Sequence, residues 1–307
     1  MDCDGFHRKH TQIEKNLIFE RQEKTLKLHL DCYACFMRQT LQAARFSGAD
    51  EATQRRALLR TMQILADSPA DATPPQMSES IHRAIREETH CSDNYREVKK
   101  TSTQQAMAFY PMLKQMVAKS EDPFEMAARI AVIGNIIDFG AAETINLDQD
   151  IEKDLADSLT VDHTTHLKTE LEKAPWALYL ADNAGETVFD RVFIETIRHK
   201  DLRYVVKSGP VLNDALREDA EAVGLDKIVP IYETGVDAVG VVPQRSSKEF
   251  LDLLNSAPVI IAKGQANFES LGGTHYNVYF LFKVKCPMVA DITGLPVGSK
   301  LVYSEHI

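Results

Sequence analysis

The chain has 307 residues, 44% apolar and 26% charged, with a formal charge of -10. That length fits one large domain or two ordinary ones, and an acidic chain without a basic stretch argues against a nucleic-acid partner. No apolar run reaches the roughly 20 residues a membrane-spanning helix needs, so no membrane partner is expected.

Residues 1–27 are rich in His, Lys, Arg and Glu and lack an apolar core, so they read as an N-terminal extension rather than a signal peptide. Residues 28–173 read as an all-helical domain. Asp31 is placed to cap a first helix with Tyr33, Met37, Leu41 and Ala44 inward. A second helix would bury Leu58, Leu59, Met62 and Leu65, and a third opens at Pro74-Pro75 with Met77, Ile81, Ala84 and Ile85 inward. A fourth runs from about Tyr95 to Lys119. The fifth, Phe124 to Ile137, is apolar nearly all round and belongs at the centre. Near its end Asn135 and Asp138 stand three apart on one face, before Gly140 as a C′ cap. Asp148–Lys173 is polar and reads as one or two surface helices.

The pattern changes at residue 174. Strands Trp176–Ala181, Arg203–Lys207, Lys227–Tyr232, Val259–Ala262 and Val278–Val284 alternate with amphipathic helices, the first carrying Val188, Val192, Phe193 and Ile197. The helix Asp214–Val223 and the helix Ser247–Leu254 follow the second and third strands. Such alternation means a mainly parallel sheet with helices on both faces, over residues 174–307. The helical part is expected to pack against the C-terminal edge of the sheet and roof the site there.

Three strands end in polar motifs: Asp182-Asn183-Ala184-Gly185-Glu186, then Ser208-Gly209-Pro210 through Asn213-Asp214, then Lys263-Gly264-Gln265-Ala266-Asn267. Ligands of open α/β sheets bind outside such carboxyl ends. Asp182, Asn183 and Asp214 are the expected metal ligands, because oxygen donors with substrate phosphate and water suit a hard divalent cation. Any one Asp or Asn before a helix is most often an N-cap; three such ends in succession favour a site. Lys263, with Gly185, Ser208, Gly264, Gln265 and Asn267, is expected around a phosphate, although a lysine in an αβ loop is by itself ordinary. There is no dinucleotide glycine motif, no P-loop and no Gly-x-Ser-x-Gly elbow.

Cys32 and Cys35 form a C-x-x-C at a helix start, and the five cysteines are odd in number and irregular in spacing, as in a reducing cytoplasm. Thiolates are soft ligands, so the pair is expected not to ligate the hard metal but to pack a helix start or tune access to the site.

These motifs, with Gly134-Asn135, Asp138-Phe139-Gly140 and Asp31-Cys32-Tyr33-Ala34-Cys35, resemble the damage-control phosphatase family, also known as domain of unknown function 89. The match runs in order from about Leu28 to the C-terminus, and the C-x-x-C looks like its mainly prokaryotic branch. Ala266 stands where the family usually has glycine. The resemblance implies a helical domain packed on a Rossmann-like three-layer α/β/α domain. It implies a divalent metal (Mn, Ni, Co or Mg) at Asp182, Asn183 and Asp214, and hydrolysis of phosphate monoesters of small metabolites. In that reading Asp182, Glu186, Asp214 and Lys263 do the chemistry. Glu186 or a ligand carboxylate orients the attacking water, and Asn135 and Asp138 contact the organic half. Two rivals are an S-adenosylmethionine-dependent carboxyl methyltransferase and a non-catalytic module that binds phosphometabolites.

Overall fold

The computed structural model describes residues 27–134 and 147–307. The expected extension before residue 27 lies outside them, as do Asn135, Asp138 and Gly140.

Three helices come first: α1 (Leu30–Phe46), α2 (Glu51–Ala66) and α3 (Pro74–Thr89). Asp50 caps α2 by accepting from the Thr53 N–H at 2.8 Å. Pro74 begins α3, whose Gln76 side chain accepts from the Thr73 N–H at 3.1 Å. The cap of α1 is His29, whose Nδ1 accepts from the Asp31 N–H, so Asp31 sits inside the first turn and is not the cap. The expected third-helix face is buried as read, but the first two helices are rotated. The buried residues of α1 are Phe36, Thr40, Ala43 and Ala44, and those of α2 are Ala57, Thr61 and Leu65. The physical reason is close approach: Thr40 and Thr61 share a buried hydroxyl hydrogen bond of 3.0 Å, and large side chains there would hold the helices apart. Leu59 and Met62 are consequently about half exposed, at 48% and 51%.

Four helices follow: α4 (Arg96–Lys119), α5 (Pro123–Ile133), α6 (Leu147–Ala156) and α7 (Thr164–Lys173). Between the last two lies β1 (Val161–Asp162), so the polar stretch read as one or two helices holds two, with a short strand between them that was not expected. The remaining strands are β2 (Ala177–Leu180), β3 (Leu202–Val206), β4 (Ile231–Glu233), β5 (Ile260–Lys263), β6 (Val278–Lys283) and β7 (Lys300–Tyr303). Their helices are α8 (Thr187–Ile197), α9 (Arg217–Ala222), α10 (Lys248–Ser256), α11 (Gln265–Leu271) and α12 (Pro287–Thr293).

The seven strands form one sheet in the order β1-β7-β6-β5-β2-β3-β4. Every pairing is parallel except β6 with β7. The protein is therefore α/β with a mainly parallel sheet. Side chains alternate between its faces. Ala177, Tyr179 and Ala181 join one core with α4, α5 and α8; Leu178 and Leu180 join another with α10 and α11. Helices α1 to α3 have a third, smaller core built on Phe36, Met77, Ile81 and Ile85.

From β2 the chain steps outward through β3 to β4, then returns to lay β5 and β6 on the other side of β2. The order thus reverses between β2 and β5, where Leu180 pairs with Ala262 and both strands end together. A crevice outside their carboxyl ends is the place such a sheet offers a ligand.

Candidate functional site

Three polypeptide segments meet at that reversal. Asp182 and Asn183 leave β2, and an isolated antiparallel bridge joins Asn183 to Asp214. Two backbone hydrogen bonds lock the crossing: Ala184 N–H to Asn213 O at 2.8 Å and Ala215 N–H to Asp182 O at 2.7 Å. This is how residues some thirty positions apart come side by side. Gly264 closes the third side from β5. Its φ is +79°, and a Cβ there would lie 2.0 Å from Oδ2 of Asp182, so only glycine lets this backbone lie against the carboxylate.

The charges are dense and buried. Asn183 Nδ2 donates to Glu186 Oε1 at 2.7 Å and to Asp182 Oδ2 at 3.2 Å. Lys263 Nζ reaches Glu186 Oε2 at 2.9 Å and Asp190 Oδ1 at 2.7 Å. Lys207 Nζ lies 3.7 Å from Asp214 Oδ2 and donates to the Gly240 carbonyl. Burial, then the neighbouring Glu186 and Asp214 carboxylates, push the Asp182 carboxyl well above the usual range. Burial pushes Asp214 up to about 6, against the pull of Lys207. Burial works to lower the Lys263 ammonium, but Asp190 and Glu186 more than reverse that and hold it above its ordinary value.

Asp182, Glu186, Asp190 and Asp214 are four buried carboxylates facing two buried ammonium groups, Lys207 and Lys263. Fully ionised, the set has a formal charge of -2, which a divalent cation would neutralise. Among the described residues no three His, Cys, Asp or Glu side chains converge as a ready metal cage. The hard donor set here is two carboxylates and an amide, which fits a cation that also takes oxygen from water or substrate.

The cluster forms one wall of a cavity of about 500 Å³. Asp182, Asn183, Gly185, Glu186, Asp214 and Gln265 line it, as expected from the sequence. The opposite wall is α1 and the start of α3, with Arg38, Gln39, Gln42 and Ser78. Four expected residues are not among the lining side chains. Lys263 is fully buried beneath the cavity, its ammonium enclosed by carboxylates rather than presented to a ligand. Gly264 is turned to Asp182. Asn267 is buried and donates to the Ala181 and Lys263 carbonyls, at 3.2 and 2.7 Å, tying α11 to β2. Ser208 is exposed, and its Oγ accepts from the Gly235 N–H.

Cys32 and Cys35 line the same cavity, joined by Cys286 at the start of α12. Burial pushes the Cys32 and Cys286 thiols up. Sequence reading missed Lys285. It follows β6, faces the cavity, and acts electrostatically on Asp182. Its N–H donates to Gln265 Oε1 at 3.0 Å, which fixes this loop to α11. It follows the strand read at Val278–Val284, so it was open to the same reasoning as the other strand ends.

Comparison with known proteins gives the family and the fold. Residues 28–301 match the damage-control phosphatase ARMT1-like domain. The chain is 34% identical over 280 residues to a damage-control phosphatase of Pyrococcus horikoshii, covering 89% of this chain and 96% of the relative. It is 30% identical over 285 residues to a damage-control phosphatase of Archaeoglobus fulgidus, covering 89% and 97%. The crystal structure of a DUF89 family protein from Pyrococcus horikoshii superimposes with a TM-score of 0.84 at 33% identity, over 91% of this chain and 99% of that one.

Proposed function

The chain belongs to the damage-control phosphatase ARMT1-like family, and we propose from this premise that it is a metal-dependent phosphatase of small phosphorylated metabolites. The observation that carries the reading is the buried carboxylate-rich cluster, formally -2 when fully ionised, at the wall of a metabolite-sized cavity. Asp182, Asn183 and Asp214 would hold a divalent cation such as Mn, Ni, Co or Mg. That cation supplies Lewis acidity and charge neutralisation at the phosphoryl group.

The protein's own groups do the rest. Lys285 brings an ammonium to the cavity, forms no close ion pair among the described residues, and neutralises the phosphate as charge develops. This role passes to it from Lys263, which acts from behind through Glu186. Glu186 is bonded at both oxygens, by Asn183 and by Lys263. That favours Asp182 or Asp214 as the carboxylate that orients the attacking water. The wall of α1 and α3 faces the organic half of the substrate with Arg38, Gln39 and Ser78.

The test is a panel of phosphate monoesters assayed with each of the four metals. We expect phosphate release with at least one metal and its loss in chelator. Equal release after chelation, with metal shown absent by elemental analysis, would overturn the reading, as would methyl transfer from S-adenosylmethionine without phosphate release.

A further inference from the structure

Among the buried groups the mechanism leaves unused, one stands directly behind the proposed ligands. Asp190 on α8 is fully buried and lies behind the cavity, not on its wall. Burying an ion costs several kcal/mol unless it is well paired, so its partners show what it serves. Tyr179 Oη donates to its Oδ1 at 2.7 Å, and Tyr204 Oη donates to its Oδ2 at 2.7 Å. Lys263 Nζ donates to Oδ1 at 2.7 Å and to Glu186 Oε2 at 2.9 Å. Glu186 Oε1 then accepts from Asn183 Nδ2 at 2.7 Å. The second bond from that nitrogen goes to Asp182 Oδ2 at 3.2 Å.

An amide can present either its oxygen or its nitrogen, and only the oxygen can ligate a cation. With Nδ2 committed to Glu186 and Asp182, the amide plane of Asn183 is set and Oδ1 is the atom left to a ligand. The chain of contacts ends on two tyrosines from adjacent strands, Tyr179 on β2 and Tyr204 on β3, whose rings stack at 5.3 Å. Their hydroxyls fix both oxygens of Asp190 against rigid elements. If α8 needed only to adhere to the sheet, apolar side chains would serve as well or better.

We propose that Asp190, gripped by Tyr179 and Tyr204, is the positioning residue of the metal centre: it fixes Lys263, which fixes Glu186, which turns the Asn183 amide oxygen toward the cation. The inference rests on the reading that Asp182, Asn183 and Asp214 hold a divalent metal.

The test is a cycle of Mn²⁺ dissociation constants, measured by titration calorimetry on chelator-stripped protein, alongside the melting temperature of each metal-free variant. Asp190→Asn is expected to weaken Mn²⁺ binding roughly 10–100-fold, the usual effect of losing a group that orients a ligand. In an Asn183→Asp background either carboxylate oxygen can ligate, so orientation no longer matters. There Asp190→Asn should cost less than about 3-fold, and the two effects should be strongly non-additive. Loss of one buried negative charge, or general loosening, would weaken binding equally in both backgrounds and would overturn the inference. So would a lowered melting temperature with an unchanged dissociation constant. If Asp190→Asn does not fold, the double variant Tyr179→Phe, Tyr204→Phe enters the same cycle with the same expectations. A wild-type protein that binds no Mn²⁺ overturns the metal reading and this inference together. Wild-type binding that Asp182→Ala abolishes but Asp190→Asn leaves intact overturns the inference alone.

Discussion

At the scale of single residues, the site trades stability for a ligand. Asp182 is buried beside two further carboxylates, and its carboxyl is pushed well above its ordinary range. Replacing it with the isosteric amide removes a poorly solvated charge. Asp182→Asn should therefore stabilise the metal-free protein by roughly 1–3 kcal/mol while abolishing Mn²⁺ binding and turnover. Denaturant melts of chelated protein, paired with metal titration, check both halves; destabilisation of the metal-free variant would count against it. Lys285 has the opposite character, exposed and with no close ion pair among the described residues. Lys285→Ala should lower kcat/KM about 100-fold, and Lys285→Arg should recover most of the loss, because charge at the cavity is what is needed. A steady-state comparison of the two variants decides it. The residues proposed here as ligands were legible as a group in the sequence because strand ends announce themselves by the abrupt stop of an apolar run. The partners of Lys263 were not. Its sequence context shows a lysine closing an apolar strand, but not the carboxylate of Asp190, which comes from a helix on another segment and lies against the interior strands β2, β3 and β5.

At the scale of elements, helix α3 carries a built-in acid sensitivity. His82 on its inner face is buried against Tyr95, with no hydrogen-bond partner for Nε2 among the described residues. Burial, helped by Arg86, lowers its pKa to about 3 from 6.5. The unfolded chain therefore takes up a proton at this residue before the folded one does. Stability from this group is fully present above pH 6.5 and is lost as pH falls toward 3. Between pH 8 and pH 5, wild type should lose about 2 kcal/mol that His82→Phe does not, from the roughly 1.5 pH units below the unfolded value. Parallel stability curves for the two proteins would refute it. The same region shows what sequence periodicity gives and withholds. In α3 large apolar residues recur on one face and are buried as read. In α1 and α2 small residues and threonines share the buried stripe with Phe36 and Leu65, so counting apolar side chains finds Ala44 and Leu65 but misplaces the rest of the face. β1 was invisible because two residues cannot display alternation, and it forms only because β7, some 140 positions later, offers an edge to pair with. The onset of alternating strand and helix at residue 174 was plain, yet packing runs across it, since α4 and α5 share a core with β2 and β3.

At the scale of the whole molecule, the cavity exists because α1 to α3 are held over the strand ends, and ion pairs contribute to the hold. Asp237, in the loop after β4, receives Arg86 of α3 at 2.6 Å and Arg245 at 3.7 Å. Arg86 also donates to the Pro210 carbonyl at 2.8 Å, in the loop after β3, and Arg245 pairs with Glu79 of α3. Beside them, Lys99 of α4 bridges Asp93 at 2.9 Å and Asp219 of α9 at 3.5 Å. In sequence each of these is one more surface charge; only the fold brings residues 79 and 86 to residues 237 and 245. A single exposed ion pair is worth little, about 1 kcal/mol or less, but Asp237 joins two arginines in one partly buried network. Asp237→Ala should therefore loosen the attachment of α3 without touching the metal ligands. We expect faster amide hydrogen exchange across α1 to α3, unchanged exchange in β2 and β5, and a several-fold rise in KM for a phosphate ester with kcat nearly preserved. Added salt should shrink the difference between variant and wild type, because it weakens the wild-type contacts that the variant already lacks. Equal exchange rates in the two proteins would show that the apolar contacts of α3 hold the cap in place alone.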